Sequence, residues 1–176
     1  MIIDLLSMSY GIPPEERLVT RGTGFKALPF KARIYYLSTK SPHIKKPRIV
    51  LSSEIIPYLS ARRIKHGSIL YVDYSRPPIL LLYLVEELER RPKGSESYAR
   101  YWILTYKYSY KEKSFRKGLP VIDFSTASYL ILTSDKFNYK HGGTLHVILR
   151  EAVKIGEETG RERKYVEPIV IAPIMS

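Results

Sequence analysis

The sequence predicts an α+β fold that is mainly antiparallel β, with a small barrel-like core, short helices and the mark of an internal duplication. Three observations carry that expectation. Apolar and polar residues alternate with period two in ARYWILTYKYSYKEK, and FKALPFKARIYYLST, RIVL and SILYVDYS also read as strands. Helical patterning is confined to short runs such as SSEIIPYLSARRI. The triplet Lys-His-Gly occurs twice, as Lys65-His66-Gly67 and Lys140-His141-Gly142, and each copy opens a strand-like stretch. A chain of 176 residues with 44% hydrophobic content supports one compact domain spanning 1–176.

The elements follow in order. Gly11, Pro13, Pro14, Gly22 and Gly24 make the first 25 or so residues irregular. FKALPFKARIYYLST reads as a strand ending near Ser38, SPHIKKP as a basic loop, and RIVL as the next strand. In SSEIIPYLSARRI, Ser52 or Ser53 suits a helix N-cap and Glu54 suits the first turn. Pro57 is tolerated there because it lies near the start. Lys65-His66-Gly67 is a turn and SILYVDYS a strand.

PPILLLYLVEELERR places Leu81, Leu84, Val85 and Leu88 on one helical face and is expected to be a helix, with a strand as the alternative over 79–91. ARYWILTYKYSYKEK reads as a long strand, with Trp102, Leu104, Tyr106, Tyr108 and Tyr110 on one face and Ile103, Thr105, Lys107, Ser109 and Lys111 on the other. FRKGLP is a turn and VIDFS a short strand. TASYLILTSDKF is expected to be a short helix, with a strand as the alternative over 127–137. TLHVIL is a strand, and 150–163 fits a helix or a hairpin. YVEPIVIAPI is expected to be a final strand at a sheet edge, because of Pro168 and Pro173.

Lys and Arg number 29 against 17 Asp and Glu, a formal charge of +12. A charge of that size speaks to partners, and nucleic acid is the commonest polyanion. There is no Cys, which excludes disulfides and thiolate metal sites. Gln is absent and Asn138 is the single Asn. Depletion of thermolabile residues beside abundant charge points to a thermophilic source, archaeal or an archaeal virus. The opening MIIDLLSMSYGI carries Asp4 and no basic segment, unlike a signal peptide. The apolar run Ile79 to Val85 is far short of the about 20 residues needed to cross a bilayer. The expected setting is therefore cytoplasmic, or within a virion, with no membrane partner.

A fixed shift that lays Lys65, His66 and Gly67 on Lys140, His141 and Gly142 also lays Leu70 on Leu145 and Val72 on Val147. Without a gap it lays Ser53 on Ser128, Ile55 on Leu130 and Ile56 on Ile131. Such self-similarity is the signature of duplication, here over about 47–75 and 121–150. The first copy, RIVLSSEIIPYLSARRIKHGSILYVDYS (48–75), resembles the AbrB/SpoVT-like swapped-hairpin DNA-binding family, and the second is a weaker echo. The family pattern puts a strand at Ile49 to Leu51, a helix at Glu54 to Leu59, the turn at Gly67 and a return strand from Leu70 to Asp73. The family's corner proline is Ser52 here, and its acidic residue after the turn glycine is Ser68. The resemblance implies an intertwined β-barrel built by one chain, and DNA binding.

Two basic clusters are candidate phosphate contacts. One comprises Lys45, Lys46, Arg48, Arg62, Arg63 and Lys65, with Glu54 the single acidic residue between Lys40 and Arg63. The other lies in YKYSYKEKSFRK, where Tyr106, Tyr108, Tyr110 and Phe115 interleave with Lys107, Lys111, Lys113, Arg116 and Lys117. Aromatic faces stack on bases while cations neutralise phosphates, although alternating tyrosines also make an ordinary core-facing strand. Lys140 adds charge at the second turn. His43, His66, His141 and His146 show no metal-ligand spacing, so no metal or cofactor is expected, and His66 and His141 read as polar turn residues. Gly22-Thr23-Gly24 lacks the third glycine of a phosphate fingerprint and reads as a loop.

The expectation is thus a nucleic-acid-binding protein, DNA rather than RNA, without catalysis. Transcription regulation, chromatin or ribosome association and viral nucleoprotein roles all fit. A structural or assembly protein pairing through β edges, as a homodimer or larger particle, is the alternative. A nuclease-like enzyme using Asp73 or Asp123 is the second alternative.

Overall fold

A computed structural model describes residues 27–87, 97–104, 108–109, 114–115, 118–150, 154–158, 161–164 and 168–174. Four segments read as strands do become strands: β1 (Ala27–Leu37), β2 (Lys46–Leu51), β3 (Ile69–Arg76) and β5 (Tyr98–Leu104). They are joined by β4 (Ile79–Leu84), β8 (Leu119–Phe124), β9 (Thr144–Arg150) and β12 (Ile169–Pro173). These eight close into an antiparallel barrel in the order β1-β2-β8-β5-β3-β4-β12-β9. Two short hairpins stand apart from the barrel ladder, β6 (Tyr108–Ser109) with β7 (Ser114–Phe115) and β10 (Lys154–Glu158) with β11 (Arg161–Lys164). In the undecided segment 150–163 the described residues are therefore strand, with β10 paired antiparallel to β11. Among the described residues there are two short α-helices, α1 (Ile56–Ala61), preceded by a 3-10 turn at Ser53–Ile55, and α2 (Ser128–Leu132), and a further 3-10 turn at Val85–Glu87 after β4. No helix among the described residues is long and apolar enough to cross a membrane.

An eight-stranded barrel has an interior just wide enough for side chains to fill. Ile34, Ile49, Leu70, Leu80, Tyr101, Ile122, Val147 and Ile171 fill it, with Ile55 and Leu59 of the first corner and Leu132 of the second packed in. Two expectations change here. Residues 79–84 form a strand, not the expected helix, and Pro77-Pro78 make the hairpin turn before it. Leu80, Leu82 and Leu84 face the core, while Ile79 and Leu81 join Ile148, Val170 and Ala172 in a second cluster. A strand buried on both faces reads as a continuous apolar run, which mimics a buried helix. Likewise β12 is not an edge strand. It pairs with β4 on one side and β9 on the other, and its prolines stand before its first residue and at its last.

The ladder registers repeat. Ile34 faces Ile49 as Tyr101 faces Ile122. Ala32 faces Leu145 as Ala99 faces Leu70. Val72 faces Leu82 as Val147 faces Ile171. The set β1, β2, β3, β4 thus corresponds to β5, β8, β9, β12 by an approximate dyad. It passes between Ile49 and Ile122 on one side of the barrel and between Leu81 and Val170 on the other, each pair being directly opposed. The corners match as well. Ile55 N–H donates to the Ser52 carbonyl and Ser128 N–H to that of Ser125, while Ile64 and Tyr139 N–H donate to the Leu59 and Leu132 carbonyls. This match is not the ungapped one. Ile55 is fully buried, whereas Leu130 is 69% exposed, so Leu59 corresponds to Leu132 and two extra residues follow the second helix.

Candidate nucleic-acid interface

The site is built by strand alternation. On β1, Ala32, Ile34 and Tyr36 point into the core, which leaves Lys31 and Arg33 exposed and Tyr35 half-buried on the outer wall. On β5, Ala99 and Tyr101 point inward, which leaves Arg100 exposed and Trp102 half-buried outside. Trp102 therefore lies on the wet face, opposite to Tyr101, and Arg100 sits over its ring at 5.3 Å from the centroid.

The Lys-His-Gly turns pack beside these two strands in the same way. Gly67 and Gly142 have φ of 90° and 74°, the left-handed region in which glycine is unstrained. At the first turn, Gly67 N–H donates to the Tyr101 carbonyl (2.8 Å) and Tyr101 N–H to the Ser68 carbonyl (2.9 Å). At the second, Gly142 N–H donates to the Ile34 carbonyl (2.7 Å) and Ile34 N–H to the Gly143 carbonyl (3.1 Å). His66 Nδ1 accepts from Ile103 N–H at 2.9 Å, and His141 Nδ1 accepts from Tyr36 N–H at 3.0 Å. A ring nitrogen that accepts carries no proton, so Nε2–H is the free donor of each neutral imidazole. Each ring also meets an aromatic edge-on, His66 with Trp102 at 4.9 Å and His141 with Tyr35 at 5.5 Å. Both histidines are exposed and tie their turns to the barrel wall.

The predicted site residues differ in where the fold places them. Lys65 and Lys140 are exposed at equivalent places beside the two histidines. Lys45 is exposed before β2, Lys46 is half-buried at its start, and Arg63 is exposed after α1 with φ of 63°, matched by Asn138 with φ of 55°. Arg62 is half-buried. Arg48 is committed to a forked ion pair, with Nε at 2.6 Å from Oδ1 of Asp123 and Nη2 at 3.3 Å from Oδ2. That pair bridges β2 and β8, where the two residues are directly opposed. Lys107, Lys111, Lys113, Arg116 and Lys117 lie outside the described residues.

Lys31, Arg33 and Arg100 were missing from the sequence-derived set. The signal was present as a second repeat, Ala32-Arg33-Ile34-Tyr35 and Ala99-Arg100-Tyr101-Trp102, hidden because its spacing differs from that of the Lys-His-Gly pair. His146 faces Lys31 across the β1–β9 ladder, and its imidazole is held below the usual range by burial first and by the Lys31 charge second. Asp123 is engaged by Arg48, and Asp73 accepts from Ser75 N–H at 2.8 Å. Among the described residues no group of three His, Asp or Glu side chains is placed to hold a metal ion.

The outer faces of β1 and β5 thus each carry a cation and an aromatic beside a Lys-His-Gly turn, while β2 and β8 between them carry the Arg48–Asp123 pair. Comparison with protein-family models, curated proteins and solved structures finds no match to this chain.

Proposed function

We propose that this chain binds nucleic acid, DNA in preference to RNA, through the two Lys-His-Gly corners and the outer faces of β1 and β5 beside them, without catalysing a reaction. The observation that carries the reading is the repeated set of exposed lysine, arginine, histidine and half-buried aromatic at both Lys-His-Gly corners. Cations at such a wall gain affinity by releasing phosphate counterions, and Trp102 and Tyr35 offer ring surface beside them. The resemblance of residues 48–75 to AbrB/SpoVT-like domains supports DNA over RNA. A single chain holding two such units would close one barrel, in keeping with the paired registers above.

The test is a binding titration at several salt concentrations against double-stranded DNA, single-stranded DNA and RNA. The expected result is binding that falls steeply with salt and is tightest for DNA. A weak, salt-independent response to all three sinks the proposal. Gel filtration with and without nuclease separates it from self-assembly, because a large particle insensitive to nuclease would favour a structural protein. None of the eight barrel strands has a free edge, so among the described residues edge-to-edge pairing would use the β6–β7 or β10–β11 pairs.

A further inference from the structure

We infer that His66 and His141 are proton-sensitive latches, neutral imidazoles that close the two Lys-His-Gly turns on the barrel and release them in acid. This goes beyond the nucleic-acid reading and does not depend on it. A strand amide in a barrel wall needs a partner, because an unpaired backbone N–H is costly there. On β5, alternate N–H groups face the first turn. Tyr101 N–H donates to the Ser68 carbonyl, and two residues on, Ile103 N–H meets the His66 imidazole in place of a carbonyl, at 2.9 Å from Nδ1. On β1, Ile34 N–H donates to the Gly143 carbonyl, and Tyr36 N–H to Nδ1 of His141 at 3.0 Å. Each ring nitrogen thus adds one further rung to the bonds between turn and strand.

That rung exists in one protonation state. A neutral imidazole with its proton on Nε2 accepts at Nδ1, whereas an imidazolium donates at both nitrogens. Protonation would set Nδ1–H against the Ile103 or Tyr36 N–H, two donors with no acceptor between them. Both histidines are exposed, so the charged ring swings into water and leaves the amide without its partner. Among the described residues, the charged neighbours of His66 are Lys65 in its turn and Arg100 of β5, which sits over the Trp102 ring that His66 meets. Those of His141 are Lys140 in its turn and, on β1, Arg33; the Tyr35 and Tyr36 rings lie 5.5 and 6.3 Å from its imidazole. Lysines, arginines and tyrosines keep one charge state between about pH 5 and pH 8, so histidine is the titrating member at each corner. The rung requires the neutral ring, so its contribution is present at the alkaline end of that range and is lost as pH falls through it. The backbone bonds of Gly67 and Ser68, and of Gly142 and Gly143, are made by groups that do not titrate. Acid therefore loosens one side of each turn and leaves the barrel closed.

The experiment follows the full chain by nuclear magnetic resonance from about pH 8 down to about pH 5. Long-range nitrogen–proton spectra of the imidazoles report which nitrogen carries the proton, and amide hydrogen exchange reports whether the Ile103 and Tyr36 N–H groups are bonded. At the alkaline end both rings should carry the proton on Nε2 alone. On acidification the protection factor of each amide should fall roughly fivefold or more, the equivalent of one ordinary hydrogen bond, in step with protonation of its own histidine. His66→Asn and His141→Asn supply the control, because Oδ1 of asparagine branches from the same carbon as Nδ1 of histidine and accepts a bond but takes up no proton. The Ile103 amide should keep its protection in acid in the first variant, and the Tyr36 amide in the second, while the other corner still titrates. His43 and His146 stay in place throughout, so their titration cancels in the comparison. A proton on Nδ1 at the alkaline end, wild-type protection that does not change with pH, or an asparagine variant that titrates like the wild type overturns the inference. The wild-type spectra decide the question alone where a variant fails to fold, and the outcome leaves the nucleic-acid reading to its own titration.

Discussion

Replacing Gly67 or Gly142 by alanine probes the corner geometry directly. Both glycines sit at positive φ, where a Cβ crowds the following carbonyl and costs about 1–2 kcal/mol. Space is not the issue. A Cβ on Gly67 would meet Cζ3 of Trp102 at 3.9 Å, an ordinary contact, and one on Gly142 would meet nothing within 4 Å. The chain cannot relax to negative φ at no cost, because each glycine N–H bonds a strand carbonyl, of Tyr101 or of Ile34. Losing that bond costs about 1 kcal/mol, which is comparable to the strain it would relieve. Gly67→Ala and Gly142→Ala should therefore each lose about 1–2 kcal/mol, or about 2–8 °C in Tm for a chain of this size. Thermal unfolding followed by circular dichroism measures this. The comparison between sites matters as much as the size, since equivalent corners should suffer equal losses. Gly142→Ala melting with the wild type, or losses that differ several-fold between the two sites, would refute the left-handed turn or the equivalence.

Three further outcomes are expected. Burial raises the Tyr101 phenol to about 12 and pushes those of Tyr36, Tyr74 and Tyr139 up as well, against an ordinary value of 10. The folded chain keeps these phenols neutral while the unfolded chain ionises them, so their contribution is intact below pH 10 and is lost as pH rises above it, for Tyr101 between 10 and about 12. Denaturant midpoints measured on both sides of pH 10 should fall on the alkaline side, and a flat profile would contradict the burial. The Tyr101 hydroxyl is buried and has no hydrogen-bond partner among the described residues, so Tyr101→Phe should stabilise the fold by about 1 kcal/mol, and a lower melting temperature would show that the hydroxyl is bonded. Arg48→Ala, Asp123→Ala and the double variant should show a coupling of about 1–2 kcal/mol in denaturant titrations, since Arg48 is 27% exposed and Asp123 9%. Strict additivity would mean that the forked pair does not tie β2 to β8.

How much of this is legible in the sequence depends on the range of each determinant. The strand-forming runs in 31–37, 69–73 and 98–104, the short helices near Leu59 and Leu132, and both glycine turns are local, so residue patterning and turn chemistry revealed them. The resemblance of the two Lys-His-Gly corners was legible for the same reason. Three things were not. Residues 79–84 are apolar on both faces because one face enters the barrel and the other meets Ile148 and Val170, so no period could separate strand from helix. The fate of β12 depended on closure of the barrel, a pairing between distant segments that leaves no local trace. The fate of Arg48 depended on Asp123 standing opposite it across a strand seam.

The candidate site divides along the same line. Net charge of +12, the basic residues at Lys65 and Lys140 and the turn glycines are properties of the chain as written, because charge and backbone preference belong to single residues and their neighbours. Which cations stand together is a property of the folded barrel. Arg33 and Arg100 reach the two corners only because β1 and β5 lie beside turns that are distant in sequence, and the dyad relating them arises from ladder registers that long-range packing selects.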